Sequence, residues 1–185
     1  MKKTTLLSMI MIMSFSLISI HVSAQKLVSS KTHFKFFSST PAEDIEANNY
    51  KTVGTIETST GEVVFSVPMQ SFEFKKSLMQ QHFNGKKYLD TKTNPKAKLK
   101  GKIDNLSEVN FEEDGSYPVS ISGELTINGV TNAIAEEATI LVEGGKVSLD
   151  SKFNITLTDY EVAFEKGKPA KNIAKVVEVT VKAVY

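Results

Sequence analysis

The strongest constraint on this chain is its alternation of apolar and polar residues. In "VSLDSKFNITLT", Val147, Leu149, Ser151, Phe153, Ile155 and Leu157 alternate with Ser148, Asp150, Lys152, Asn154, Thr156 and Thr158. In "KAKLKGKI", Lys96, Lys98, Lys100 and Lys102 share one face, and Ala97, Leu99, Gly101 and Ile103 share the other. A period of two scatters apolar residues around a helix but gives a strand one dry side and one wet side. Such strands assemble into antiparallel sheets or barrels. The same pattern predicts strands near residues 32–40, 50–59, 62–69, 117–127, 130–142 and 175–184.

The turns agree with this reading. Asn128-Gly129 stands between apolar residues in "INGV", and both centres of a type I′ hairpin turn need positive φ, which Asn and Gly tolerate. Thr60-Gly61, Asp114-Gly115 and Gly144-Gly145 mark similar reversals. Hairpin after hairpin predicts sequential neighbours and an up-and-down barrel of about eight strands. Two segments read as short helices. Residues 41–48, "PAEDIEAN", follow Thr40 as a candidate N-cap, with Pro41 at the first position and acids in the first turn. Residues 76–84 place Leu78, Met79, His82 and Phe83 on one helical face, with Asn84-Gly85 as the C-cap. Asn94-Pro95 then restarts the chain as a strand.

Met1-Lys2-Lys3 followed by the apolar "LLSMIMIMSFSLISI" and by Val22-Ser23-Ala24 has the three parts of a secretory signal peptide. The competing reading is a membrane anchor, but the run is short for a span of about 20 residues. The expectation is therefore a leader over residues 1–24. A single domain over 25–185 would be mature from Gln25 and periplasmic or secreted. The chain has no Cys, so packing alone must hold it.

Without Lys2 and Lys3 the chain keeps 20 Lys against 21 acids, and it has no Arg. Nucleic-acid readers depend on positive excess and on bidentate Arg, so nucleic acid is set aside as a partner. Phosphate loops, G-x-S-x-G and H-E-x-x-H motifs are all missing from the sequence. His33 and His82 are the two histidines after the expected leader, and two His with no Cys and no fixed spacing give a zinc site only weak support. No catalytic residue, metal ligand or cofactor is assigned. In "THFKFF", inward Phe34 and Phe36 put His33 and Lys35 outside. The plainer reading of His82 is a partly buried helix residue bonded to a nearby carbonyl or hydroxyl. The functional one is a polar group at a cavity opening, meeting a ligand head. The lysine row 96–102 reads as the solvated face of a strand rather than a lipid-phosphate patch.

The 11 Phe of the chain carry the remaining signal. Phe34, Phe36, Phe65, Phe72, Phe74, Phe83 and Phe153 fall on inward positions or on the second helix. They make either an ordinary core or an aromatic and aliphatic tunnel. An eight-strand barrel can be filled by side chains or can hold one small ligand, and composition does not separate the two.

Two segments together resemble a known family. "GELTINGVTNAI", residues 123–134, resembles the G-x-L-T-I-x-G-V-T signature of the YceI-like lipid and polyisoprenoid-binding family. Residues 78–101, "LMQQHFNGKKYLDTKTNPKAKLKG", resemble its helix-and-loop segment, with His82-Phe83, Tyr88-Leu89-Asp90, Pro95 and Ala97-Lys98-Leu99 at the matching positions. Gln80-Gln81 stand where the family often has Arg-Asp. The resemblance implies an extended, lipocalin-like antiparallel barrel with a helix near one opening. It implies an apolar channel for a long isoprenoid or fatty-acid-like chain, and no catalysis. On that reading the tail lies among Phe34, Phe36, Phe65, Leu125, Phe153 and Leu157. The helix contributes Leu78 and Phe83, and His82 and Tyr88 meet the head. The alternative is a solid-packed barrel that engages an envelope protein partner. Exterior strands could also pair two copies into a homodimer. N-terminal sequencing of the protein exported by its own host is expected to begin at Gln25; an N-terminus at Met1 would overturn the leader.

Overall fold

The computed structural model describes residues 25–162, 164–165, 168–169 and 173–185. The leader expected in residues 1–24 lies outside them. The strands are β1 (Lys26–Val28), β2 (Lys31–Ser39), β3 (Asp44–Asn49), β4 (Val53–Glu57), β5 (Glu62–Pro68), β6 (Glu73–Phe74), β7 (Lys96–Ile103), β8 (Gly115–Ile127), β9 (Val130–Glu143), β10 (Lys146–Thr156), β11 (Phe164–Glu165), β12 (Lys168–Pro169) and β13 (Val176–Val184). One α-helix, α1 (Ser77–Asn84), follows β6. Short 3-10 turns sit at Met69–Ser71, Leu106–Glu108 and Leu157–Tyr160. Among the described residues no helix is long and apolar enough to cross a membrane.

Eleven strands form one curled antiparallel sheet in the order β1-β4-β5-β7-β8-β9-β10-β13-β2-β3-β6, a half-barrel with the alternating apolar side chains inside. β11 and β12 pair separately. The meander from β4 to β13 has the sequential neighbours expected from the hairpin signals. At the Asn128-Gly129 turn φ is +53° and +79°, as a type I′ reversal demands.

The N-terminal part departs from the expectation. Eight strands were expected and eleven join the sheet, because β1, β3 and β6 are additional. The first segment bends at Ser29-Ser30. Its β1 half pairs with β4 and its β2 half with β13, so one stretch touches both ends of the meander. The Ser29 amide donates to Gly54 O at 2.8 Å and the Ser30 amide to Val184 O at 2.7 Å.

The helix expected at 41–48 is instead a turn followed by β3. Thr40 does cap, since its hydroxyl accepts from the Ala42 and Glu43 amides at 3.3 and 3.2 Å. Past that turn, Ile45, Ala47 and Asn49 alternate inward with Asp44, Glu46 and Asn48 outward, and the backbone finds partners along β2. A short helix would have left the edge of β2 unpaired, and tertiary pairing overrides local helix signals. Asn49 then ties β3 to β5. It is fully buried, its amide donates to Pro68 O at 2.9 Å, and its Oδ1 accepts from the Lys51 amide at 2.8 Å.

One half of the interior is solid. Ile56, Val63, Ile103, Val119, Ile140, Val142 and Leu149 are each at most 2% exposed. Phe65 stands opposite Gly54, and a Cβ at Gly54 would collide with its ring. The missing side chain is what lets that ring lie flat on the sheet. The Tyr185 ring ends in the same region, and its hydroxyl is buried with no hydrogen-bond partner among the described residues. Burial pushes this phenol far above its ordinary value of 10.0. Tyr185→Phe removes an unpaired buried group and is expected to stabilise the fold at neutral pH by about 1 kcal/mol. Above pH 10 the unfolded chain ionises and the folded one resists, so stability falls as pH rises. Urea unfolding at neutral and alkaline pH checks both points: Tyr185→Phe should flatten the alkaline decline, and a net loss of stability at neutral pH would contradict the assignment.

Candidate functional site

The other half of the interior is open. Beyond a floor made by Phe34 and Phe65, whose rings meet edge-on at 5.2 Å, lies a cavity of about 390 Å3. The mouth-side ends of the strands supply its walls, with Val67, Ala97, Leu125, Phe153, Ile155, Val177 and Val179 among the lining residues. Helix α1 and the loop after it cover the opening.

The helix is held by aromatic packing. Phe83 stacks on Phe36 at 5.6 Å and meets Phe72 and Phe74 at 5.5 and 5.0 Å. Offset and edge-on pairs at such distances each add about 0.5–1.5 kcal/mol beyond area burial. A polar clasp holds the loop. Thr91, fully buried, donates to Asn84 Oδ1 at 2.9 Å, and Gln70 Nε2 donates to Thr91 O at 3.2 Å. Asn94 Nδ2 donates to Asn128 Oδ1 at 2.9 Å, which joins the helix-loop segment to the β8–β9 turn. Gly85 caps α1 as expected, its amide donating to His82 O, but in extended rather than left-handed backbone; the positive φ falls at Asp90.

Nine of the ten residues expected at a ligand site line this cavity: Phe34, Phe36, Leu78, His82, Phe83, Tyr88, Leu125, Phe153 and Leu157. Phe65 does not reach it. It packs beneath Phe34 against Gly54, so it is floor rather than wall. Phe72 and Phe74, inward by the sequence pattern but outside the expected site, both line it. Met69 and Met79 were missed as lining residues. Met79 had a signal, since it shares the helical face of Leu78 and Phe83.

Polar groups collect at the opening. Lys76 Nζ pairs with Glu43 Oε1 at 2.7 Å, and both residues line the rim. His82 is exposed rather than partly buried, and its ring makes no hydrogen bond among the described residues. It stacks on Tyr88 with ring centroids 5.9 Å apart. The helix therefore presents His82 beside the cavity instead of using it as a structural peg. His33 lies on the outer face, as the alternation demands, stacked on Tyr50 at 4.7 Å and sharing a 2.7 Å hydrogen bond with Asn48. Lys96, Lys98, Lys100 and Lys102 all face solvent. Among the described residues no group of three or more His, Asp or Glu is placed to hold a metal ion. Phe83→Ala is expected to loosen the cover without melting the barrel. Amide exchange of α1 should speed up at least about tenfold while β8 and β9 stay protected, because the helix opens as a local unit; equal acceleration everywhere would show that the helix is integral to the core.

The fold has solved counterparts. A polyisoprenoid-binding domain from Saccharophagus degradans superposes with a TM-score of 0.72 at 14% identity, over 88% of this chain and 98% of that one. BcnA from Burkholderia cenocepacia gives 0.69 at 17% identity, over 83% and 96%. The YCEI protein of Campylobacter jejuni gives 0.56 at 14% identity, over 100% and 98%. No curated protein matches the chain by sequence. Residues 19–185 match the YceI-like domain, nearly the whole chain. With the curled antiparallel sheet and the helix at its opening, the protein belongs to the YceI-like family.

Proposed function

We infer that the protein binds one amphiphilic lipid of the isoprenoid or fatty-acid class, with the chain in the cavity and the head at the helix rim. The observation that carries this reading is the apolar character of the cavity. Its lining is mainly aliphatic and aromatic, and its charged and hydrogen-bonding groups are few: Glu43, Lys76, His82 and Tyr88 by the helix, and Lys35, outward by the alternation but bordering the cavity and paired with Glu46 at 3.8 Å. A volume of about 390 Å3 lies within the range of about 300–1,000 Å3 usual for ligand pockets. Burial of the lipid chain contributes about 25 cal/mol per Å2 of apolar surface removed from water. His82 has ring nitrogens free to reach outward, and Lys76 and Tyr88 can donate to head-group oxygens.

Membership of the YceI-like family and the likeness to a polyisoprenoid-binding domain support the same ligand class. The cavity is complete within one chain, so this reading calls on neither a homodimer nor an envelope protein partner. It involves no catalysis. His33 and His82 sit on different elements, and neither has a carboxylate among its ring and hydrogen-bond contacts in the described residues. Export by the leader expected in residues 1–24 would place the carrier in the periplasm or outside the cell.

Protein purified from its own host is expected to release one lipid on solvent extraction and to show a matching adduct in native mass spectrometry. Ala97→Phe fills the cavity from its wall, since Ala97 is buried and lines it. This change should lower uptake of a fluorescent long-chain probe at least about fivefold, because an overfilled pocket has no room for the chain. Absence of both co-extracted lipid and probe uptake in the wild type would sink the reading.

A further inference from the structure

Charge is distributed unevenly, and the cavity accounts for little of it. Residues 75–96 carry six lysines and one acid, Asp90. All six lysines are exposed; Lys76 borders the cavity with Lys75 beside it just before α1, Lys86, Lys87 and Lys92 lie on the loop after the helix, and Lys96 opens β7. Lys76 is paired with Glu43. At the opposite end, residues 104–114 carry five acids and no lysine, and all five acids are exposed. None of those residues lines the cavity.

The two poles do not cancel. β7 connects them, and its eight residues span about 25 Å at roughly 3.3 Å per residue. Screening at physiological salt acts over about 8 Å. Each pole therefore responds to the surface it faces. The outer row Lys98, Lys100 and Lys102 differs from the rim, because Glu62 and Glu124 stand opposite Lys102 and Lys100 on the neighbouring strands.

The rim also carries an apolar group. Leu78 is 59% exposed, close after Lys75 and Lys76, and borders the cavity. Lysines around an exposed leucine suit an interface with phosphates outside and hydrocarbon beneath. An acidic protein would satisfy the lysines but offer Leu78 no apolar layer. We propose that the rim formed by α1 and its loop is a docking surface for an anionic lipid bilayer, which seats the cavity opening against the leaflet. The proposal rests on the lipid-binding reading and supplies its route of loading. The acidic pole is repelled by the same surface, so the molecule approaches mouth first.

Vesicle flotation tests it, with phosphatidylcholine vesicles containing about one-quarter phosphatidylglycerol, against pure phosphatidylcholine, at low and high salt. The wild type should partition onto the anionic vesicles at least about tenfold better than onto neutral ones, and salt should abolish the difference. Lys75→Gln/Lys86→Gln/Lys92→Gln removes three rim charges outside the cavity lining and should lose at least about tenfold in partitioning. Lys98→Gln/Lys100→Gln/Lys102→Gln removes the same charge from the outer wall and should lose less than about threefold. Circular dichroism and thermal melting confirm that both variants are folded. Lack of binding to anionic vesicles, or equal losses from rim and wall, would overturn the proposal. Co-extracted lipid without vesicle binding would refute docking and leave the carrier reading standing. Vesicle binding without co-extracted lipid would support docking and count against the carrier.

Discussion

Residues 26–39 hold the curl of the sheet. Half of this segment pairs with β4, half pairs with β13, and the amides of Ser29 and Ser30 bond to the two in turn. Without it, the meander from β4 to β13 would be an open sheet with two long unpaired edges, and an open sheet cannot enclose a space. Everything on the inner face depends on this stitch. The buried aliphatic floor, the Phe34–Phe65 contact and the cavity above it exist because both ends of the sheet are brought to one segment.

The interior is neither the solid barrel nor the continuous tunnel weighed from the sequence. It is solid at the acidic end and open at the helix end. Strands that pair closely at one end bring large aliphatic side chains into contact there. At the other, β3 and β6 carry the sheet outward, and α1 closes the space with Phe83. Dense packing gives the scaffold its rigidity, and the looser half gives it capacity. The cover contributes few backbone bonds to the sheet, so it is the natural part to move.

Much of this was legible. The alternation in residues 147–157 placed Val147, Leu149, Phe153 and Ile155 inside, and the spacing of Leu78, Met79, His82 and Phe83 put on one helical face four residues that line the cavity, Leu78 and His82 from its exposed edge. The two segments that resemble the YceI-like family prove to be neighbours. β7 pairs with β8, and Asn94 bonds to Asn128 in the turn between β8 and β9. Residues 41–48 show where local reading fails. Thr40-Pro41 with following acids is a fair helix start, yet the same residues also alternate, and only the free edge of β2 decides between the two. His82 shows the converse. Its type suggested either a buried bond or a ligand contact, and its exposure beside Tyr88 at the rim rests on how the loop folds back.

By itself, the sequence determined the all-β class, the inward and outward faces of most strands, the turns at Asn-Gly and Gly-Gly, and the helix before Pro95. These follow from local rules of period, φ and capping, which a short window of residues contains. Only the tertiary structure decided how the sheet is ordered, that Phe65 is floor while Phe72 and Phe74 are wall, and that half of the interior stays open. Those depend on contacts between residues far apart in the chain, such as Ser29 with Gly54 and Ser30 with Val184. No periodicity encodes such contacts, because each strand pattern fits several neighbours and the curled sheet selects one arrangement.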